Sequence, residues 1–324
     1  MDDPAGSKTH LTWANVGLGF AFVAFDAIIS RLFGLGVGVP LITAAVRCVI
    51  QLAIMALVLQ KIFEADNPWG VAGIALLLNL LGTIEVVVNK AKMRFDNMFL
   101  IVLFSMVCST IPVSILGASF AMSIEPFWKP DQYIPIVGML CGATIAGVVI
   151  TLNFVLKEIY ENRDKVETYL AFGASRLEAC QPVAKEALRL ALTPPINQMS
   201  VLGIIAIPGM MTGALLGGAP VQQAARLQMV IMFMIAAASA LAAILVTVVA
   251  LGTVVDDEQR VRAGRVDVRK HWVWRMRERG WEWGVGKVKG IGEGMRVRVG
   301  LRKGGGNGER VEDGAGEERN GLLG

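Results

Sequence analysis

The sequence predicts an all-α, polytopic membrane protein with about seven transmembrane helices and a disordered C-terminal tail. Three observations carry that reading. The 324 residues are 54% hydrophobic and the mean hydropathy is +0.55, more apolar than is usual for a soluble domain of this length. Apolar runs of about 20 residues recur, the length a helix needs to cross the hydrocarbon core. From Asp256 the composition turns to Gly, Arg and Glu, with runs such as GGGNGE that bury no core. A transmembrane β-barrel needs short alternating segments, and these runs are continuous.

Taken in order, residues 1–11 form an N-terminal tail, acidic and polar at MDDPAGSKTH and so unlike the basic start of a signal peptide. Residues 12–255 form the transmembrane domain. Its expected spans are Trp13–Ser30, Pro40–Gln60, Pro68–Val88, Asn97–Phe120, Gln132–Leu156, Pro194–Leu216 and Leu227–Val255. Trp13, Trp69 and Trp128 fall near span ends, where amphipathic rings prefer to sit. Residues 256–324 form a mostly disordered cytoplasmic tail. Its patch RKHWVWRMRERGWEW, with Trp272, Trp274, Trp281 and Trp283 among basic residues, suits either an anionic membrane surface or a plain solvated tail.

Orientation follows from the short loops. Lys90, Lys92 and Arg94 lie between spans three and four, and Lys157, Arg163, Lys165, Arg176, Lys185 and Arg189 lie between five and six. The opposite loops carry Glu64, Asp66, Glu125 and Asp131 against Lys129. The positive-inside rule then puts the N-terminus outside or lumenal and the C-terminus in the cytoplasm.

Several chemistries are not encoded. No G-x-x-x-x-G-K-[ST] phosphate loop occurs, because GWEWGVGKV has the wrong glycine spacing and Val288 where a hydroxyl must meet Mg²⁺. His10 and His271 both lie in the tails, and no Ser/His/Asp set is apparent. The four cysteines form no C-x-x-C pair, and three sit inside apolar runs as small hydrophobes. A hydrolytic enzyme is not expected, and the chain supplies no energy source of its own.

The segment about 157–193 is too long for a bland connector. Val166, Leu170, Phe172, Leu177, Val183, Leu188 and Leu192 are spaced among charges. That pattern suggests short amphipathic helices interrupted near Gly173 and again near Pro182. Glycine at 173 permits a tight turn. The segment reads as a socket for a soluble partner on one membrane face.

Glu167 to Ser175, ETYLAFGAS, is similar to the E-A-A-x-x-x-G signature by which importer permeases of the ATP-binding-cassette (ABC) class dock their ATPase. Glu167 and Gly173 match in identity and spacing; Thr168 and Tyr169 replace the alanines. The chain more closely resembles the FetB-type permease family, which includes plant aluminium-tolerance half-transporters. The resemblance rests on E-x-x-L-A-F-G-A-S at 167–175, TPPINQM at 193–199, IPGMMTGALLGGAP at 207–220, QAARLQ at 223–228 and AAVRCVIQL at 44–52. It covers roughly residues 12–255. It implies a seven-span permease working as a homodimer with a separate ABC ATPase, for metal-ion export linked to iron homeostasis or metal tolerance. Glu167, Leu170, Gly173, Ala174, Ser175 and Arg176 then carry the ATPase coupling. No cofactor binds this chain; ATP and Mg²⁺ act through the partner ATPase. Nucleic acid is not implied.

Two further groups of residues stand out. Gly209, Gly213 and Gly217 recur four apart and put a smooth face on span six, which Pro208 is expected to kink. They serve either a moving or dimer-forming element or static packing. Met210 and Met211 beside them are soft thioether ligands or packing groups. Asp26, Arg47, Gln51, Glu85, Asn153 and Asn197 are polar groups within or at spans. A charge at the bilayer centre costs about 2.5–3.5 kcal/mol on insertion scales, so it should face protein or water. Arg47 and Glu85, opposite in sign on adjacent spans, are expected to pair, as a structural bridge or at the substrate path. The competing functional readings are a self-sufficient secondary metal carrier or channel, and a membrane scaffold whose tail recruits partners.

Overall fold

The computed structural model describes residues 12–65, 67–95 and 97–254. Both tails, the tryptophan patch at 269–283 and Asp66 lie outside the described residues. The chain forms α1 (Trp13–Leu32), α2 (Gly38–Ala65), α3 (Pro68–Ile84), α4 (Met98–Leu116), α5 (Pro130–Glu161), α6 (Arg163–Ala171), α7 (Arg176–Val201), α8 (Gly209–Leu216) and α9 (Val221–Val254). Two π-helical segments, Glu85–Lys90 and Gly117–Ala121, extend α3 and α4.

Six of these stretches are long and apolar enough to cross a membrane: Trp13–Leu32, Gly38–Glu64, Pro68–Lys90, Met98–Ala121, Pro130–Glu161 and Val221–Thr253. They coincide with six of the seven expected spans. The remaining one, 194–216, is not a single helix. Helix α7 enters it from Arg176, runs through Pro182, Pro194 and Pro195, and stops at Val201. An irregular stretch over Leu202–Pro208 follows, with Gly203 at φ +90°, and Pro208 opens α8 as its N-cap.

Pro208 therefore starts a helix instead of kinking one, as its fixed φ and missing N–H allow. The interruption expected at Pro182 is absent for a different reason. A proline removes one helical hydrogen bond, but Ala179, Cys180, Ala187 and Ala191 are all buried. They press α7 against α5 and α9, and that packing carries the helix past its prolines.

The bundle is organised on α5 and α9, which approach closely at Gly147. A Cβ there would lie 2.6 Å from Ser239 Oγ, so only glycine fits without a shift. Toward the α6 end, Val86, Val102, Met106, Leu152, Leu156, Val246 and Ala250 form one core. Toward the far end, Val137, Tyr133 and Val71 form a second, and Leu140, Met234 and Ala238 a third.

Among the described residues buried side-chain polar atoms are paired, with Ser30 Oγ and Gln228 Oε1 the exceptions. Thr110 Oγ1 donates to Asn79 Oδ1 at 2.8 Å, Asn79 Nδ2 to the Ala75 carbonyl at 2.8 Å, and the Ser114 and Tyr133 hydroxyls meet at 2.9 Å. Asn79 is thus a packing group. The α1–α2 hairpin stands apart from this core: its helices pack on each other, and α2 reaches the rest only lightly, through α3 and α5.

Candidate functional site

The corner between α6 and α7 is built as a rigid presenting surface. Val166 and Leu170 on one face of α6 are buried in the core that contains Leu156, Ile159, Ala179 and Cys180. The helix ends in a reciprocal pair of bonds, from Gly173 N–H to the Leu170 carbonyl at 3.0 Å and from Ala174 N–H to the Tyr169 carbonyl at 3.1 Å. That closure requires a left-handed residue, and Gly173 sits at φ +87°. Two residues on, Ser175 caps α7. Its N–H donates to Glu178 Oε2 at 2.8 Å, and Glu178 N–H donates back to Ser175 Oγ at 3.4 Å, the reciprocal capping box. The bonds from the Ser175 backbone and side chain hold the Glu178 carboxyl below the usual carboxylate range.

The opposite face of this corner is apolar and open. Phe172 is 86% exposed, and Tyr169 and Leu177 beside it are exposed as well. Charges frame them: Arg163 pairs with Glu167 and Lys157 with Glu161 at 3.7 Å. A shallow cavity of about 250 Å³ adjoins the corner, lined by Leu177, Glu178, Gln181 and Leu188 of α7 with Ile244 and Val248 of α9. Burial pushes the Cys180 thiol in its wall up, so it stays protonated and acts as a hydrophobe.

A second polar constellation lies within the membrane helices. Arg47 Nη2 on α2 meets Glu85 Oε2 on the π segment after α3 at 2.6 Å, and Nη1 reaches Oε1 at 3.4 Å. Asn89, one turn on, also donates to Glu85 Oε2. The π segment is fastened at its other end: Lys92 N–H donates to Asn153 Oδ1 at 3.0 Å, Asn153 Nδ2 to the Lys90 carbonyl at 3.4 Å, and Arg94 to the Val87 carbonyl at 2.7 Å. π segments in long helices are frequent at functional sites.

A family model described as "Uncharacterised protein family (UPF0014)" matches residues 13–254. The chain belongs to the UPF0014 family. It is 31% identical to the UPF0014 membrane protein slr1647 of Synechocystis over 74% of this chain and 92% of that one. It is 25% identical to the probable iron export permease protein FetB of Escherichia coli, over 73% of this chain and 89% of that one. It is 28% identical to the protein ALUMINUM SENSITIVE 3 of Arabidopsis thaliana, over 68% and 80% respectively. No solved structure matches. The sequence resemblance to the FetB-type group thus holds, and the chain is an integral, multi-pass membrane protein.

In this UPF0014 chain the residues singled out from sequence separate into several places. Glu167, Leu170, Gly173, Ala174, Ser175 and Arg176 do converge on the α6–α7 corner, although Leu170 faces the core and Glu167 is engaged by Arg163. Arg47 and Glu85 pair as expected, while Asn153 is occupied in holding the turn after the π segment. Gln51 and Asp26 are exposed on α2 and α1. Asn197 is exposed on α7, with Met210 and Met211 half-buried on α8 beyond the break.

Tyr169 was legible only as a departure from the importer signature, and Phe172 only as one apolar residue among others. Their amphipathic register against Val166 and Leu170 was the available signal. Asn89, which also donates to Glu85, was not singled out, although its i,i+4 spacing from Glu85 was the available signal.

Proposed function

We propose that this protein is the permease subunit of an ABC-type metal-ion exporter, driven by a separate ATPase that docks on the α6–α7 corner. The observation that carries the reading is the two-sidedness of α6. One face is locked into the bundle through Val166 and Leu170, while Tyr169, Phe172 and Leu177 are presented outward. A push on such a helix is transmitted to α5 and α7 as a rigid body, and α7 leads directly into the break at 202–208. The names of the FetB and ALUMINUM SENSITIVE 3 relatives support a metal cation such as iron or aluminium as the cargo.

In this reading two copies form the transporter, ATP and Mg²⁺ act on the partner, and the corner lies in the cytoplasm with the N-terminus on the other side. The 12–255 region performs transport, and the 256–324 tail is dispensable for it. Affinity purification of the full chain should bring down an ATP-binding-cassette protein, and Phe172→Asp should abolish that capture while leaving the chain folded. Capture unchanged by Phe172→Asp sinks the reading.

The Arg47–Glu85–Asn89 cluster favours one alternative, a self-sufficient secondary carrier coupled through those charges. Cation transport that persists when every ATPase partner is deleted decides for it.

A further inference from the structure

The cavity of about 250 Å³ beside the α6–α7 corner has two unlike ends. Helix α7 carries no charged residue between Arg189 and its end at Val201, so the hydrocarbon boundary falls near Arg189. Leu188 lies at that boundary, and α9 contributes Ile244, Thr247, Val248 and Leu251 to the wall. That helix carries no charge beyond Arg226, and the Thr247 hydroxyl is spent on the Ala243 carbonyl at 2.6 Å. This end therefore presents apolar surface, which takes hydrocarbon and nothing that needs a hydrogen bond.

The other end is polar and follows one edge of α7. Glu178 and Gln181 line the cavity, and Lys185, one turn beyond Gln181, continues the same edge. All three are exposed. The Lys185 ammonium and the Gln181 amide have no partner among the described residues, whereas Arg189 faces Glu186 at 3.8 Å. Glu178 has spent one oxygen: Oε2 accepts from the Ser175 N–H and hydroxyl, both at 2.8 Å. Its Oε1 accepts nothing from the described residues and stays open to a donor.

These groups are ordered as a membrane orders an amine phospholipid. Going outward from the hydrocarbon along α7, Leu188 comes first, then Lys185, then Gln181 and Glu178. In such a lipid the acyl chain lies deepest, the phosphate next and the ammonium outermost. Lys185 and Glu178 are two turns apart, about 10 Å along the axis, and their side chains close that gap on one headgroup. A free phosphate would leave Glu178 opposed, and a polar solute would leave the end at Leu188 and Ile244 without an apolar cover. The hollow of about 370 Å³ between α3 and α4 offers a contrast: Gly73, Leu76, Leu77, Leu80, Leu103 and Val107 line it. It accepts an acyl chain and has no side chain with which to read a headgroup.

We infer that the cleft between α7 and α9 binds one phospholipid with a primary-amine headgroup, its acyl chain along Leu188, Ile244 and Val248, its phosphate on Lys185 and Gln181, and its ammonium on Glu178. Leu177 belongs both to the cleft wall and to the exposed corner, so the seated lipid borders the presenting surface. The inference goes beyond the permease reading and requires only that α7 and α9 enter the membrane.

The test reconstitutes the full chain in phosphatidylcholine vesicles with a trace of a lipid carrying a diazirine in its acyl chain, either phosphatidylethanolamine or phosphatidylcholine. After illumination, labelled peptides are mapped by mass spectrometry. The ethanolamine probe should label 177–188 and 244–251 about tenfold more than the choline probe, the effect of one charge-assisted hydrogen bond, because a quaternary ammonium has no N–H to donate. Both probes should label the α3–α4 hollow equally. Glu178→Gln, which keeps the capping box, should lower ethanolamine labelling of the cleft to the choline level. Lys185→Gln should lower cleft labelling by both probes. Unchanged labelling of the α3–α4 hollow checks that each variant is folded. Equal labelling of the cleft by the two probes, an ethanolamine preference that survives Glu178→Gln, cleft labelling indifferent to Lys185→Gln, or a cleft that neither probe enters overturns the inference. The last result leaves the cleft to a protein occupant. Failed ATPase capture with the lipid preference intact removes the partner reading alone.

Discussion

Arg47 and Glu85 belong to helices that otherwise barely touch, so their 2.6 Å contact ties the α1–α2 hairpin to the bundle. Removing either partner leaves a charge in the membrane without its counter-ion. Arg47→Ala and Glu85→Ala should therefore be non-additive, with a coupling of about 0.5–3 kcal/mol in a double-mutant cycle read by unfolding in detergent. Additive losses contradict the pairing.

Glu178 supplies a second residue-scale test. Its carboxylate is favoured by the Ser175 bonds, so its folded pKa lies below the value of 4.5 it starts from. The stabilisation is present above the unfolded pKa and is lost as pH falls through the folded one. Carboxyl ¹³C titration should place Glu178 below 4.5, and Ser175→Ala should return it toward 4.5.

At the scale of elements, the corner depends on Gly173. An added Cβ there meets nothing within 4 Å, so a substitution costs only backbone strain at φ +87°. Gly173→Ala should cost about 1–2 kcal/mol, or about 2–4 °C in Tm per kcal/mol for a domain of this size. Gly173→Asn, which tolerates the left-handed region better, should cost less. A loss equal for both points to sterics instead.

Part of the chain is legible in its sequence. Six spans, the turn at Gly173 and the Arg47–Glu85 pair follow from apolar run length, glycine chemistry and charge sign. The sixth span did not follow, because hydropathy is blind to whether an apolar stretch is one helix. Pro194 looked like a start and Pro208 like a kink. Side-chain packing of Ala187 and Ala191 carries α7 past the first, and the second opens a new helix after the break. The bonds of Asn153 to Lys90 and Lys92 were not legible either, because they lie in the turn that follows the π segment.

The whole molecule comprises a presenting α6–α7 corner, an α5–α9 core and a broken sixth span. Deleting residues 260–324 should leave transport near normal, since the corner and the break are both made within residues 12–254; loss of all phenotype supports the scaffold reading. An accessible-cysteine map should find residue 172 on the cytoplasmic side and residue 12 on the opposite side, as the Lys and Arg distribution requires.

The central claim is that the α6–α7 corner receives an ATP-driven partner. It is tested most directly by measuring ATPase activity of the co-purified complex as iron and aluminium salts are added, for the native chain and for Phe172→Asp. The account predicts a captured ATPase whose turnover is stimulated by at least one cation in the native complex, and no captured activity with Phe172→Asp. Equal ATPase activity from both chains would contradict it.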